Sequence, residues 1–228
     1  MRHLIAISII FILVCNSAYT QDKSSYVGLR GGLSIPVGQY KAKDLQNGCF
    51  TQAGFNVGIE GAWYFKHYLG VGGQFGLNFH PVDVGSLGYK KVINDPFLAD
   101  LTIRSEPYQI ITAAAGLFSR WNFWKRLSLH GKFLGGMMWA KTPYQLYKPE
   151  YFIVGPEYFE ITSSKDRNFA GIIGTGIQVD ISPCIALRAD GDFQFSKMVF
   201  GFNTASGPRY EHRTISYINT ILALIIIL

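Results

Sequence analysis

Phe55-Asn56-Val57-Gly58-Ile59-Glu60-Gly61-Ala62-Trp63-Tyr64-Phe65 is the stretch that decides the fold. Its odd positions are Phe55, Val57, Ile59, Gly61, Trp63 and Phe65, while its even positions are Asn56, Gly58, Glu60, Ala62 and Tyr64. A period of two puts these sets on opposite faces of a strand, one greasy and one small or polar. The run is also longer than the ~5–6 residues of an ordinary globular strand.

The same alternation recurs on both sides of this stretch. Upstream, Tyr26 to Ile35 sets Val27, Leu29, Leu33 and Ile35 against Tyr26, Gly28, Arg30, Gly32 and Ser34. Downstream it appears in Leu69 to Phe79, Leu127 to Trp139, Phe169 to Ile181 and Ile185 to Phe195. Tyr108 to Trp121 is apolar on both parities, which leaves its facing open. Ser216 to Leu228 keeps Ile218, Leu222, Leu224, Ile226 and Leu228 in one register. The pattern predicts eight strands. Their connections alternate. Short ones are 66–68, 122–126 and 182–184, and long ones are 37–52, 81–105, 141–167 and 197–213. An up-and-down barrel with turns at one rim and loops at the other has this order.

Face contents separate a membrane barrel from a soluble carrier of lipocalin type. The polar set holds Arg30, Glu60, His130, Lys132, Asp180, Arg188, Asp190 and Asp192, and the opposite set is Leu, Ile, Val, Phe, Trp and Gly. An eight-stranded lumen is about filled by its side chains and has little room for so many aromatic rings. Turned outward, the same rings meet lipid, and closure leaves no backbone edge unpaired in hydrocarbon. Trp63, Tyr64, Phe65, Trp121, Phe123 and Trp124 at the short turns, with Phe79 and Trp139 near the long loops, read as two interfacial girdles.

Composition agrees. The chain has 228 residues, of which 48% are apolar and only 16% charged, too few charges for a typical soluble enzyme. No apolar run beyond the first residues approaches the ~20 that a spanning helix needs. The formal charge of +6 is scattered, with no basic run longer than Lys90-Lys91, so nucleic acid is not an expected partner. Met1 to Thr20 has Arg2 and His3, the apolar core Leu4 to Val14 and a small-residue Ala18-Tyr19-Thr20 site, the order of a cleaved secretory signal. Cys49 and Cys184 fall at opposite ends of such a barrel, so two unbridged thiols are expected.

Two runs carry a family likeness: the glycine-rich strand Tyr26-Val27-Gly28-Leu29-Arg30-Gly31-Gly32-Leu33 and Trp63-Tyr64-Phe65-Lys66-His67-Tyr68-Leu69-Gly70-Val71-Gly72. With the Tyr108-Gln109-Ile110 strand entry and the apolar last strand, the chain resembles the eight-stranded outer-membrane barrels typified by OmpA and OmpX. In detail it is most similar to the PorT-like outer membrane beta-barrel proteins of Bacteroidota. The resemblance covers all of 21–228 and contains no catalytic motif. It implies an integral outer-membrane protein and allows an accessory role in secretion or envelope assembly. Such barrels usually end on an aromatic residue, whereas this chain ends on Leu228.

Candidate site residues fall into two groups. Arg30, Glu60, His130, Lys132, Arg188, Asp190 and Asp192 form a lumen polar network. With Asp180, three cations face four carboxylates, which favours paired side chains and a plugged lumen over an open pore. The alternative is a gated ion path along Arg188, Asp190 and Asp192. The second group, Tyr144, Tyr147, Tyr151, Phe152, Tyr158 and Phe159, makes the third long loop the expected partner surface. Lys90, Lys91, Arg104, Lys141, Lys148, Lys165 and Arg167 give a basic outer rim that could meet lipopolysaccharide phosphates. For a lipid-modifying barrel enzyme the candidates would be His80 and His212, with Asp83, Ser86, Ser206 and Glu211 nearby in sequence. Each reads more simply as a polar loop residue. Gly70 to Gly76 and Gly171 to Gly176 lack the strand–turn–helix frame of a phosphate loop and read as strand glycines. No His/Cys spacing fits a metal site.

The expectation is an all-β, eight-stranded antiparallel up-and-down transmembrane β-barrel with short periplasmic turns and long extracellular loops. Residues 1–20 are the signal peptide and 21–228 the barrel. The protein is expected in the outer membrane, non-enzymatic and without cofactor, with a structural or interaction role. Its expected partners are outer-membrane lipid, lipopolysaccharide and a protein at the loops.

Overall fold

The computed structural model describes residues 25–152, 158–204 and 207–228. The expected signal peptide lies outside them. The elements in chain order are β1 (Ser25–Pro36), β2 (Gly54–Lys66), β3 (Leu69–His80), α1 (Val84–Asn94), β4 (Leu98–Ser105), β5 (Tyr108–Trp124) and β6 (Leu127–Lys141). β7 (Gln145–Tyr151), β8 (Phe159–Ile161), β9 (Lys165–Asp180), β10 (Ile185–Thr204) and β11 (Gly207–Ile227) follow.

Eight strands close a barrel in the order β1-β11-β10-β9-β6-β5-β3-β2. Every pairing is antiparallel, and β1 closes on β11 through registers such as Leu29↔Leu224. Leaving out the strands inside the loops, each barrel strand pairs with its neighbour in sequence, which is the up-and-down order. All eight expected strands are present. The chain is an eight-stranded transmembrane β-barrel, and no helix among the described residues is long and apolar enough to cross a membrane.

The greasy register faces out. Leu29 is 61% exposed and Leu222 73%, whereas Arg30, Glu60, Lys132, Arg188, Asp190 and Asp192 are buried in the lumen. In water such a surface would be a strong liability, but in hydrocarbon it is matched to its solvent. The ambiguous β5 turns Ile110, Thr112, Ala114 and Phe118 inward and Ile111 and Leu117 outward. Its facing is set by its partners, since Ala114 lies beside Gln74 of the polar register in β3. The girdle expectation needs one correction. Trp63, Phe65, Trp121, Phe123 and Trp124 face outward at the short turns, but Tyr64 is buried inside the lumen. It shares the even register of Glu60 and so cannot sit at the lipid boundary.

The long connections differ most from expectation. β4, β7 and β8 form a second antiparallel sheet in the order β4-β7-β8, with α1 packed on β4. The expected fourth loop is largely strand. β10 and β11 continue pairing from Phe195↔Ser216 to Thr204↔Gly207, beyond the last rung of β10 with β9 at Ser196↔Ala170. Cys49 and Cys184 are both buried thiols without a disulfide, Cys49 on the outer side and Cys184 in the turn before β10.

A closed barrel of this kind resists SDS until heated. An unheated sample of the membrane fraction should run faster on a gel than a boiled one. A single mobility with the protein in the soluble fraction would mean that the faces are assigned backward.

Candidate functional site

The lumen is built in layers by the even register of β1 and β2 and its counterparts. At the level of Arg30 six charges meet. Glu60 is the hub: its Oε2 accepts from Arg30 at 3.0 Å and Lys132 at 3.1 Å, and its Oε1 accepts from Tyr26 at 2.9 Å and pairs with Arg188. Arg30 also pairs with Asp192 and donates to Gln74 at 2.5 Å. Lys132 reaches Asp192 at 2.9 Å, and Arg188 reaches Asp190 at 2.9 Å. Three cations therefore face three carboxylates. Asp180 is not among them, because it lies at the short-turn end, where Gln178 donates to it at 2.8 Å. A buried ionic cluster is tolerable when its charges balance and pair closely, and this geometry meets that condition, with Arg30 Nε, Arg188 Nη1 and Asp192 Oδ1 left without a hydrogen-bond partner among the described residues.

His130 belongs to the layer below rather than to the ion pairs. It lies 3.3 Å from the Tyr64 hydroxyl and 3.1 Å from Ser128 Oγ. Two glycines of β9 make the network possible. A β-carbon on Gly174 would come within 2.7 Å of Lys132 and overlap Asp192, and one on Gly176 would overlap Asp190. The acidic side chains of β10 lie flat over this bare backbone. The void against the network is about 10 Å³, room for about one water.

Above the charges, Asn56 donates to Asn78 at 2.9 Å, Asn78 to the Tyr217 hydroxyl at 3.2 Å, and Tyr217 to Gln194 at 2.9 Å. His80 sits above them, with Nε2 2.7 Å from Ser34 Oγ and Nδ1 3.2 Å from the Tyr40 hydroxyl. It is fully buried, so it is a lumen residue rather than a loop residue. The catalytic candidates around it are not brought together. Asp83 caps α1, accepting from the Ser86 backbone and hydroxyl, and pairs with Lys43 at 2.6 Å. His212 is exposed on β11, Glu211 is paired with Arg209 and Arg213, and Ser206 lies outside the described residues.

The first long loop folds back into the barrel mouth, which the sequence reading does not foresee. A 3-10 turn at Gly38–Tyr40 lowers Tyr40 onto His80, Tyr108 and Tyr217, with ring centroids 5.3, 5.5 and 6.5 Å away. Gly38 has φ +59, the left-handed conformation that lets the chain reverse there. Phe50 also has positive φ, at 53°, and is buried with Leu87, Ile103 and Tyr147, joining this loop to α1 and the loop sheet. The one forward signal for this packing is the density of Tyr and Phe in the loops.

The expected partner surface divides. Tyr147 is 1% exposed, stacked on Phe159 at 4.7 Å, and is core of the loop sheet rather than surface. Phe152 is 74% exposed, and Tyr158 and Phe159 are also exposed. Tyr144 donates to Glu160, and Tyr151 is half-buried beside Leu98. In the basic rim, Lys141 pairs with Glu106 at 3.4 Å and Lys148 with Glu150 at 3.9 Å, while Lys90 donates to the Lys43 carbonyl at 2.5 Å. Among the described residues there is no cluster of His, Cys, Asp and Glu of metal-holding form.

No protein-family model matches the chain, and comparison with curated proteins finds no match. Solved structures with some similarity include Neisserial surface protein A (NspA), at 10% identity and TM-score 0.45 over 90% of this chain and 97% of that one. Ail, the attachment invasion locus protein of Yersinia pestis, gives 16% and 0.42 over 88% and 99%. A major outer membrane protein from Thermus thermophilus gives 10% and 0.48 over 89% and 99%. At these values the fold rests on the chain's own closed strand order.

Two outcomes are expected from this geometry. Gly176→Val should lower unfolding stability in detergent by about 1–3 kcal/mol, while Gly191→Ala, whose added carbon meets nothing within 4 Å, should be neutral. Equal denaturant midpoints would mean that the β9 glycines do not seat the network. The second concerns pH. The Lys43 ammonium and then the Ser86 cap hold Asp83 well below the usual carboxylate range. A depressed folded pKa stabilises above the unfolded value of ~3.9 and is lost as pH falls below it. Amide protection of α1, corrected for intrinsic exchange, should therefore drop below about pH 4, and Asp83→Ala should remove that pH dependence.

Proposed function

We propose that the chain is an integral outer-membrane protein, exported by a cleaved signal, with a sealed lumen and its working surface on the outer loops. The observation that carries this reading is the fully paired six-charge cluster across the lumen, closed above by Tyr40. A pore lined this way would have to separate three ion pairs for each passage of solvent. The role is structural or interactive, and not enzymatic. The PorT-like resemblance adds an accessory role in secretion or envelope assembly. Lipopolysaccharide phosphates would meet exposed cations such as Lys90, Lys165 and Arg167. Phe152 and Tyr158 offer a protein partner an apolar contact beside them. A soluble lipocalin-like carrier is disfavoured by the apolar exterior.

In planar bilayers the wild-type protein should give no steady conductance. Glu60→Ala removes the hub and leaves three cations short of one carboxylate, so it should cost about 3–5 kcal/mol of stability and produce open events. Steady channels from the wild type would replace the sealed barrel with the gated ion path. Binding to lipopolysaccharide vesicles should weaken when Lys90, Lys165 and Arg167 are changed to Gln, and the loss should be smaller at high salt.

A further inference from the structure

Between the barrel mouth and the loop sheet lies a cleft of about 490 Å³, within the size range of small-molecule sites. Its floor is apolar and aromatic, made by Phe50, Tyr108 and Phe200, and it is closed from below by the seated first loop. One wall is the loop sheet with Tyr147, and the other is the β10–β11 hairpin with Arg209, Glu211 and Arg213.

The charges in these walls are unequally satisfied. Glu211 is shared by two arginines, Arg209 at 3.1 Å and Arg213 at 2.7 Å. Glu160 already accepts the Tyr144 hydroxyl. Lys91 enters from the last turn of α1 and lies 4.2 Å over the Tyr147 ring and 5.9 Å from Phe159. Among the described residues no carboxylate lies within ion-pair distance of it. Burial pushes the Lys91 ammonium below its usual pKa, the mark of a cation held away from water without a full counter-charge. An aromatic face covers one side of an ammonium and leaves the others to a different partner. Lys91 also borders a second cleft of about 320 Å³, so this side is reachable from two directions.

We propose that the mouth cleft binds a small amphiphile with one flat apolar body and one anionic head, the body on the Phe50–Tyr108–Phe200 floor and the head at Lys91. The aromatic floor selects the body, and the surplus of cations selects the sign of the head. The volume admits a molecule of one or two rings rather than a long acyl chain, because the lumen beneath is filled. The site rests on the reading that the loops face an aqueous exterior.

The test is calorimetric titration of the full chain in lipid nanodiscs with 2-naphthoate, against empty discs, with 2-naphthamide as the neutral isostere. Saturable one-to-one binding of the carboxylate, at least tenfold tighter than the amide, is the expected result. Lys91→Gln should remove that tenfold preference while leaving amide binding unchanged, and Lys91→Arg should restore it. Heat released equally by empty discs, or equal affinity for acid and amide, would overturn the proposal. The wild-type comparison of the two ligands stands even if Lys91→Gln loosens the loop sheet. A barrel that shows its heat shift and no conductance yet binds neither ligand would defeat this site and leave the sealed-barrel reading intact.

Discussion

Glu60 is the group on which the interior depends. A carboxylate inside a barrel surrounded by hydrocarbon must be neutralised by side chains, because water is scarce and the outside offers nothing polar. Here three cations and a tyrosine hydroxyl converge on it from β1, β6 and β10. The two remaining carboxylates then balance the cations' other valences. Strand register, the inward turn of the even positions of β1, β2, β6 and β10 and the bare backbone of β9 are all consistent with this one point of convergence.

The outer half follows a different rule. There charge gives way to edge-on and tilted rings and neutral hydrogen bonds around Tyr40, His80 and Tyr217. Tyr40 fills the opening from the first loop, and Phe50, twelve residues from Gly38, ties that loop to α1 and Tyr147. The three loops therefore form one packed body, to which the β10–β11 hairpin is tied where Arg213 donates to the Gln46 carbonyl at 3.3 Å.

The membrane-crossing part is legible because period-two alternation is a direct record of which face meets which solvent. Leu29 beside Arg30, or Phe193 beside Asp192, admits one facing only. The lumen residues are legible for the same reason, and six of the seven named meet in one cluster, with His130 one layer below. The loops are not legible in this way. Leu98–Ser105 and Gln145–Tyr151 are short, and the second contains Pro149, so alternation has too few residues to register. Tyr147 and Phe152 have the same composition signal, yet one is core and the other surface. That difference is made by Phe159 and Lys91, which are distant in sequence. Tyr64 escapes the girdle because strand parity decides its facing and aromatic composition does not.

The distribution of the six lumen charges along the chain has a consequence for how the barrel comes together. Arg30 and Glu60 lie on the first two strands, Lys132 on β6, and Arg188, Asp190 and Asp192 on β10. Of these six charges, a sheet assembled only as far as β9 carries two cations against a single carboxylate. That surplus is costly wherever hydrocarbon is near; the arrival of β10 cancels it, and β11 then removes the open edge by pairing with β1. Electroneutrality is thus reached one strand before closure: the inner face is already balanced when β11 seals the barrel against β1.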